Sequence, residues 1–222
     1  MGAEVSAPDF TNPQDVIDVY RRRAKNYDFT ANLYYLLGLR EYAFRRRAAD
    51  ALRLRPGDTV VEIGCGTGLN FPYLEEKIGP GGRIVGVDLT DAMLAEARKR
   101  AVGNNWSNVE LVQSTASAYR FPDRVDAVLS TFALTLDADY DRVIEAAAKA
   151  LRPGGRFVLL DLKMPENWLR HLTPVLIFLT RPFAVSEKIG KRRPWESMRR
   201  HLKNVTFENL YLDIVYLATG EA

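Results

Sequence analysis

Val60-Val61-Glu62-Ile63-Gly64-Cys65-Gly66-Thr67-Gly68-Leu69-Asn70 is the stretch on which the fold turns. A short β-branched run, Thr59–Ile63, meets three glycines at alternate positions, and a helical pattern over Leu69–Ile78 follows at once. Such a loop lets backbone come close to a ligand and aims the first amides of the following helix at it. The dinucleotide fingerprint G-x-G-x-x-G would need its third glycine where Leu69 stands, and no Lys-Ser/Thr step follows for a triphosphate. The loop is G-x-G-x-G preceded by an acid, Glu62.

Outward from this loop the pattern repeats. Arg83–Asp88, Val109–Gln113, Val125–Ser130 and Arg156–Asp161 read as strands, with helices over Asp91–Val102 and Tyr140–Leu151 between them. Gly79-Pro80-Gly81-Gly82 and Pro153-Gly154-Gly155 end the helices before them. Strands alternating with helices at this spacing make βαβ units, so the fold class is α/β: a mostly parallel sheet with helices on both faces. Val205–Asn209 and Asp213–Thr219 are joined by a link too short for a crossover, so that pair must be antiparallel. Upstream, residues 1–10 read as a loose tail. Thr11-Asn12-Pro13-Gln14 reads as a capping box opening a helix that ends near Tyr27-Asp28, and a second helix runs from about Ala31 to Leu52.

The 222 residues carry 47% hydrophobic and 27% charged side chains, the balance of a globular chain able to bury its own core. No linker divides them, so a single domain is expected. It comprises N-terminal helices over 1–55, a core over 56–162, an insertion over 163–203 and a strand pair over 204–222. One cysteine, Cys65, rules out an intrachain disulfide and suits a reducing, cytoplasmic setting. One cysteine and two distant histidines, His171 and His201, leave no metal-ligand spacing. A formal charge of +3, without a basic stripe interleaved with aromatics, is too small for a dedicated nucleic-acid binder. The runs Arg21–Arg23, Arg45–Arg47 and Lys191–Arg193 read as solvated helix faces, with contact to phosphate groups as the alternative. The longest strongly apolar stretch, Leu172–Thr180, is far shorter than the roughly 20 residues of a spanning helix.

Asp88 ends the second strand, twenty residues after Gly68. Taken alone it reads as a cap for the helix starting near Thr90; beside the glycine loop it reads as an acceptor for both hydroxyls of a ribose. Glu62-x-Gly64-x-Gly66-x-Gly68, Gly86-Val87-Asp88-Leu89 with Met93, and Leu151-Arg152-Pro153-Gly154-Gly155 together resemble the signature blocks of class I S-adenosylmethionine-dependent methyltransferases. The resemblance covers roughly residues 20–162. It implies a Rossmann-like seven-stranded sheet whose last strand is antiparallel. It also implies S-adenosyl-L-methionine as cofactor: the loop against its methionine part, Asp88 on the ribose, Leu89 and Met93 about the adenine, Thr115 and Ala116 at the adenine edge. Relatives commonly carry an aspartate where Thr115 stands; its hydroxyl accepts a hydrogen bond more weakly than a carboxylate.

Displacement of a methyl group from a sulfonium needs alignment more than a base, so no catalytic pair is required, and none is visible. Tyr27 resembles the aromatic residue that covers the cofactor in related small-molecule enzymes. Ser130-Thr131-Phe132-Ala133-Leu134, at the end of the fourth strand, falls where acceptor and methyl group meet in relatives. The stretch Tyr27-Asp28…Tyr34-Tyr35-Leu36-Leu37-Gly38 resembles enzymes that N-methylate polar-lipid headgroups and is similar, less closely, to quinone-ring C-methyltransferases. Trp168–Phe183 mixes aromatic, aliphatic and basic residues. It reads either as a segment packed over the sheet or as a peripheral contact with an anionic membrane surface. The expected partner is therefore a small-molecule or lipid-headgroup acceptor, such as the amine of a polar headgroup, with C- or O-methylation of a quinone-like or other secondary metabolite as the alternative and a cofactor-binding scaffold lacking activity as the reading from another class.

Overall fold

The computed structural model describes residues 13–24, 40–167 and 191–222. The chain passes through α1 (Pro13–Arg23), α2 (Glu41–Ala51), β1 (Thr59–Ile63), α3 (Phe71–Ile78), β2 (Arg83–Asp88), α4 (Asp91–Gly103) and β3 (Val109–Gln113). It continues through β4 (Val125–Thr131), a 3-10 turn (Leu134–Leu136), α5 (Tyr140–Ala150), β5 (Leu151–Leu162), α6 (Pro194–His201), β6 (Lys203–Asn209) and β7 (Val215–Glu221). The capping box at Thr11, the start of the second helix and Trp168–Phe183 fall outside the described residues.

One seven-stranded sheet runs in the order β3-β2-β1-β4-β5-β7-β6. All pairings from β3 to β5 are parallel, and β7 runs antiparallel to both of its neighbours. The central strands β1, β2 and β4 are buried on both faces, which is why they read as nearly continuous apolar runs, while β3 at the edge is partly exposed. Val61, Ile63, Val85 and Val87 face one core with Val143, Ile144 and Ala147 of α5 and Trp195 and Met198 of α6. Val60, Ile84, Ala127 and Leu129 face the other, against Ala48 and Ala49 of α2, Phe71, Leu74 and Ile78 of α3, and Leu94 and Ala97 of α4. The chain leaves β1 toward β2 and β3, then returns to place β4 on the other side of β1. That reversal opens a crevice at the carboxyl ends of β1 and β4, where open α/β sheets bind ligands.

The final strand pair is shifted from Val205–Asn209 and Asp213–Thr219 to Lys203–Asn209 and Val215–Glu221, and two other boundaries differ from the sequence pattern for local reasons. The helix after the glycine loop starts at Phe71, because Gly68 N–H turns back to Cys65 O (2.9 Å) and Phe71 N–H to Gly68 O (3.1 Å). β5 begins at Leu151, five residues before Arg156: Leu151 pairs with Val125, and the Pro153-Gly154-Gly155 turn is absorbed as an irregularity in the β4–β5 register.

Candidate active site

A cavity of about 270 Å³ opens at the carboxyl ends of β1, β2 and β4. Its floor is the glycine loop. Gly64 and Cys65 both donate to Val87 O (2.8 and 3.0 Å), which draws the loop across the end of β2. Gly66 N–H then meets Asp88 Oδ2 at 2.9 Å, while Thr90 N–H meets Asp88 Oδ1 at 2.8 Å. The loop's outer side is held by Arg100, whose Nε donates to Thr67 O at 2.9 Å. Gly64 and Gly66 have φ of +69° and +54°. A Cβ on Gly64 would overlap that of Ala133, whereas one on Gly66 would meet nothing within 4 Å. The first glycine is thus required by packing against the turn after β4, the second by backbone conformation alone.

Seven of the residues expected at the site line this cavity together: Gly64, Gly66, Asp88, Leu89, Met93, Thr115 and Ala116. Thr115 Oγ1 accepts the N–H of Ala118 (3.1 Å), so part of its acceptor capacity holds its own loop. Three others do not line it. Gly68 packs under Phe71, whose ring would lie 2.6 Å from an added Cβ. Ser130 is fully buried, and its neighbour Thr131 lines the cavity instead, because successive side chains on a strand face opposite ways. Glu62 is buried beneath the loop. Tyr27 lies outside the described residues; Tyr20 of α1 lines the cavity, and α1 is docked on α4 through Arg21 and Asp91 (2.8 Å). His201 lies on α6 and is not among the lining residues.

What pattern reading missed is a buried polar network under the loop. Of the run Arg45–Arg47, Arg46 and Arg47 are exposed and pair with Glu76 and Glu208, but Arg45 turns inward. It forms an ion pair with Glu41 one helical turn earlier (2.6 Å) and donates to Thr131 Oγ1 (2.6 Å) and Asn70 Oδ1 (3.3 Å), with its guanidinium over the Phe132 ring. Asn70 Nδ2 in turn donates to Glu62 Oε1 (2.5 Å) and Thr131 Oγ1 (2.8 Å). The solvated-face reading fails for Arg45 because a helix packed on a sheet turns one residue in three or four inward. The spacing Glu41–Arg45 was the available signal. Two acids share one cation here. Arg45 neutralises Glu41, and burial then pushes Glu62 up to about 8, against the pull of Asn70 and Arg45. Its second oxygen, Oε2, has no hydrogen-bond partner among the described residues, which suits a neutral carboxyl.

The Asp88 oxygens accept the N–H groups of Gly66 and Thr90 at the cavity wall, and a carboxylate in that place can also accept from a vicinal diol. Leu89, Met93 and Ala116 add apolar surface for a flat ring, and the open φ > 0 backbone at Gly66 admits close approach. These residues fit a nucleoside-bearing cofactor. A family profile described as "Methyltransferase domain" matches residues 60–155. The ubiquinone/menaquinone biosynthesis C-methyltransferase UbiE of Pseudomonas putida (strain GB-1) is 30% identical over 213 residues, 93% of this chain and 82% of that protein. The demethylmenaquinone methyltransferase of Symbiobacterium thermophilum is 27% identical over 222 residues, 93% and 86% of the two chains. Geranyl diphosphate C-methyltransferase from Streptomyces coelicolor A3(2), solved with Mg2+, geranyl diphosphate and S-adenosyl-L-homocysteine, superposes with a TM-score of 0.64 at 18% identity. The match covers 82% of this chain and 79% of that one, a likeness of fold.

Sheet order and cavity define a Rossmann-like fold whose site fits a nucleoside-bearing group. The chain belongs to the class I S-adenosylmethionine-dependent methyltransferases, and S-adenosyl-L-methionine is its cofactor.

Two outcomes test this geometry. Gly64→Ala, which combines overlap with left-handed strain, lowers stability in urea unfolding by more than about 2 kcal/mol; Gly66→Ala, which meets only the strain, costs about 1 kcal/mol. Glu62 binds its proton more tightly folded than unfolded, so its contribution is intact below pH about 4.5 and lost as pH rises through about 8. Glu62→Gln, measured by urea unfolding across that window, therefore gains on the wild type by more than about 1.4 kcal/mol, the worth of one pKa unit.

Proposed function

We propose that the cavity holds S-adenosyl-L-methionine and that the methyl group passes to a small, lipid-linked acceptor, the amine of a polar headgroup. The observation that carries this reading is the charge of the cavity wall. Asp88, Asp137 and Asp139 line it, and its one cationic side chain among the described residues, Arg45, is already paired with Glu41. A cavity of this sign favours two cations, the sulfonium and an ammonium-type acceptor, over an anionic one.

In this reading Asp88 accepts from the ribose hydroxyls, Leu89 and Met93 enclose the adenine, Thr115 and Ala116 meet its edge, and Gly64 and Gly66 face the methionine part. Glu62, Gly68 and Ser130 act from behind: Glu62 holds Asn70, Gly68 seats Phe71, and Ser130 sits on β4 beside Thr131. Tyr20 and Tyr27 supply aromatic cover. The bound cofactor supplies a methyl group already activated on sulfur. The chain's own work is to align the acceptor, exclude water and, for an acceptor that arrives protonated, take a proton. Asp137 and Asp139 are the carboxylates placed for that last step. Trp168–Phe183, outside the described residues, is the segment proposed to meet a membrane surface. Among the described residues no helix is long and apolar enough to cross one.

A second reading, C-methylation of a quinone-like ring, is favoured by the names of the relatives. Incubating the enzyme with deuteromethyl-labelled cofactor and separated polar-lipid and quinone fractions, followed by mass spectrometry, distinguishes the two. Label on a headgroup amine is the expected result; label on a ring carbon replaces it with the second reading, and an unlabelled extract defeats both. For the cofactor site, Asp88→Ala weakens S-adenosylmethionine binding in calorimetry by more than about 1.5 kcal/mol, since a charge-assisted hydrogen bond is lost. Unchanged affinity would remove Asp88 from the site.

A further inference from the structure

The 3-10 turn Leu134–Leu136 forms part of the cavity wall, which it continues into Asp137. A single turn of 3-10 helix satisfies few of its own groups, so its position depends on what meets its ends. The N–H groups of Leu136 and Asp137 turn back to Ala133 O and Leu134 O (3.0 and 3.1 Å). Thr135 is held from below: its N–H and Oγ1 both donate to Asp161 Oδ2, at 3.1 and 2.7 Å. Asp161 is 4% exposed at the end of β5, and burial lifts it to about 6, which leaves it ionised at neutral pH. The last two carbonyls, which a helix end leaves without internal partners, both receive Arg192: Nη1 donates to Thr135 O at 2.6 Å and to Leu136 O at 2.9 Å. A cation at this end of the turn is also the sign its peptide dipoles favour. The far side is fixed by Ser117 N–H on Asp137 Oδ2 (3.1 Å), which joins the turn to the loop after β3 that also lines the cavity.

Arg192 belongs to the other end of the molecule's sequence, just before α6. Its neighbour Arg193 pairs with Glu166 (3.3 Å), and Glu166 N–H donates to Asp213 Oδ2 (2.8 Å), itself paired with the buried Lys163 (2.6 Å). The two described flanks of the insertion are thus tied to each other and to the β6–β7 link, and Arg192 is where they reach the cavity wall. We propose that Arg192 is a positioning residue for the cofactor cavity: by holding the carbonyls of Thr135 and Leu136 it sets the wall that Leu136 and Asp137 present. This rests on the reading that the cofactor occupies this cavity.

The test is calorimetric titration of S-adenosyl-L-homocysteine into the full chain as wild type, Arg192→Ala and Arg192→Lys, with thermal unfolding of each apo form. Loss of the two carbonyl contacts is expected to weaken binding in Arg192→Ala by about fivefold or more, while its unfolding midpoint moves by less than about 3 °C. Arg192→Lys, which still offers donors to both carbonyls, returns affinity to within about twofold of wild type. Equal binding by wild type and Arg192→Ala overturns the inference alone. So does a loss that comes with a collapse of the midpoint or is not rescued by lysine. A wild type that does not bind the probe at all overturns the cavity reading, and the inference with it.

Discussion

The carboxylate of Asp88 stands between two loops that belong to different strands. One oxygen takes the N–H of Gly66 from the turn after β1, and the other takes the N–H of Thr90 from the turn after β2. With Val87 O receiving the amides of Gly64 and Cys65, this brings the two turns into one surface. The floor of the cavity depends on that surface. Burial raises the proton affinity of Asp88, and hydrogen bonds from the backbone of Thr90, Gly66 and Leu89 and from the Thr90 side chain work against it.

Beside this floor the protein buries Glu41, Arg45, Glu62, Asn70 and Thr131 together, with Arg45 and Thr131 reaching the cavity. A buried ion pair is weak as a source of net stability, since desolvation offsets much of the Coulomb gain. Its consequence here is geometric. The network ties α2 to the start of α3 and the end of β4, so the helix preceding the parallel core is locked to the glycine loop. It also explains why an acid precedes the glycines. Glu62 does not line the cavity; it holds Asn70, the residue just before the first turn of α3.

The strands of the parallel sheet and the place of the loop were legible in the chain because each rests on short-range rules. Parallel strands buried on both faces show as apolar runs; Gly64 and Gly66 show as a break that side chains cannot replace. Asp88 was legible through its distance from the loop. The failures have a common origin. On β4 a one-residue step reverses the side chain's face, so of Ser130 and Thr131, both in the stretch the sequence singles out, only Thr131 lines the cavity. Arg45 was grouped with Arg46 and Arg47 because the run looks uniform, while the packing of α2 on the sheet treats the three differently. Arg192 was likewise read with its run, and nothing local announces that it reaches carbonyls more than fifty residues earlier.

The amino-acid sequence by itself determined the α/β class, the place of the glycine loop, the acid that follows it and the antiparallel pair at the end. All of these follow from periodicity, turn chemistry and link length, which act over a few residues. Only the tertiary structure decided which charges are buried, which of two adjacent residues on β4 faces the cavity, and which arginine holds its wall. Those outcomes depend on contacts between segments distant along the chain, and on desolvation that exists only once the elements have packed.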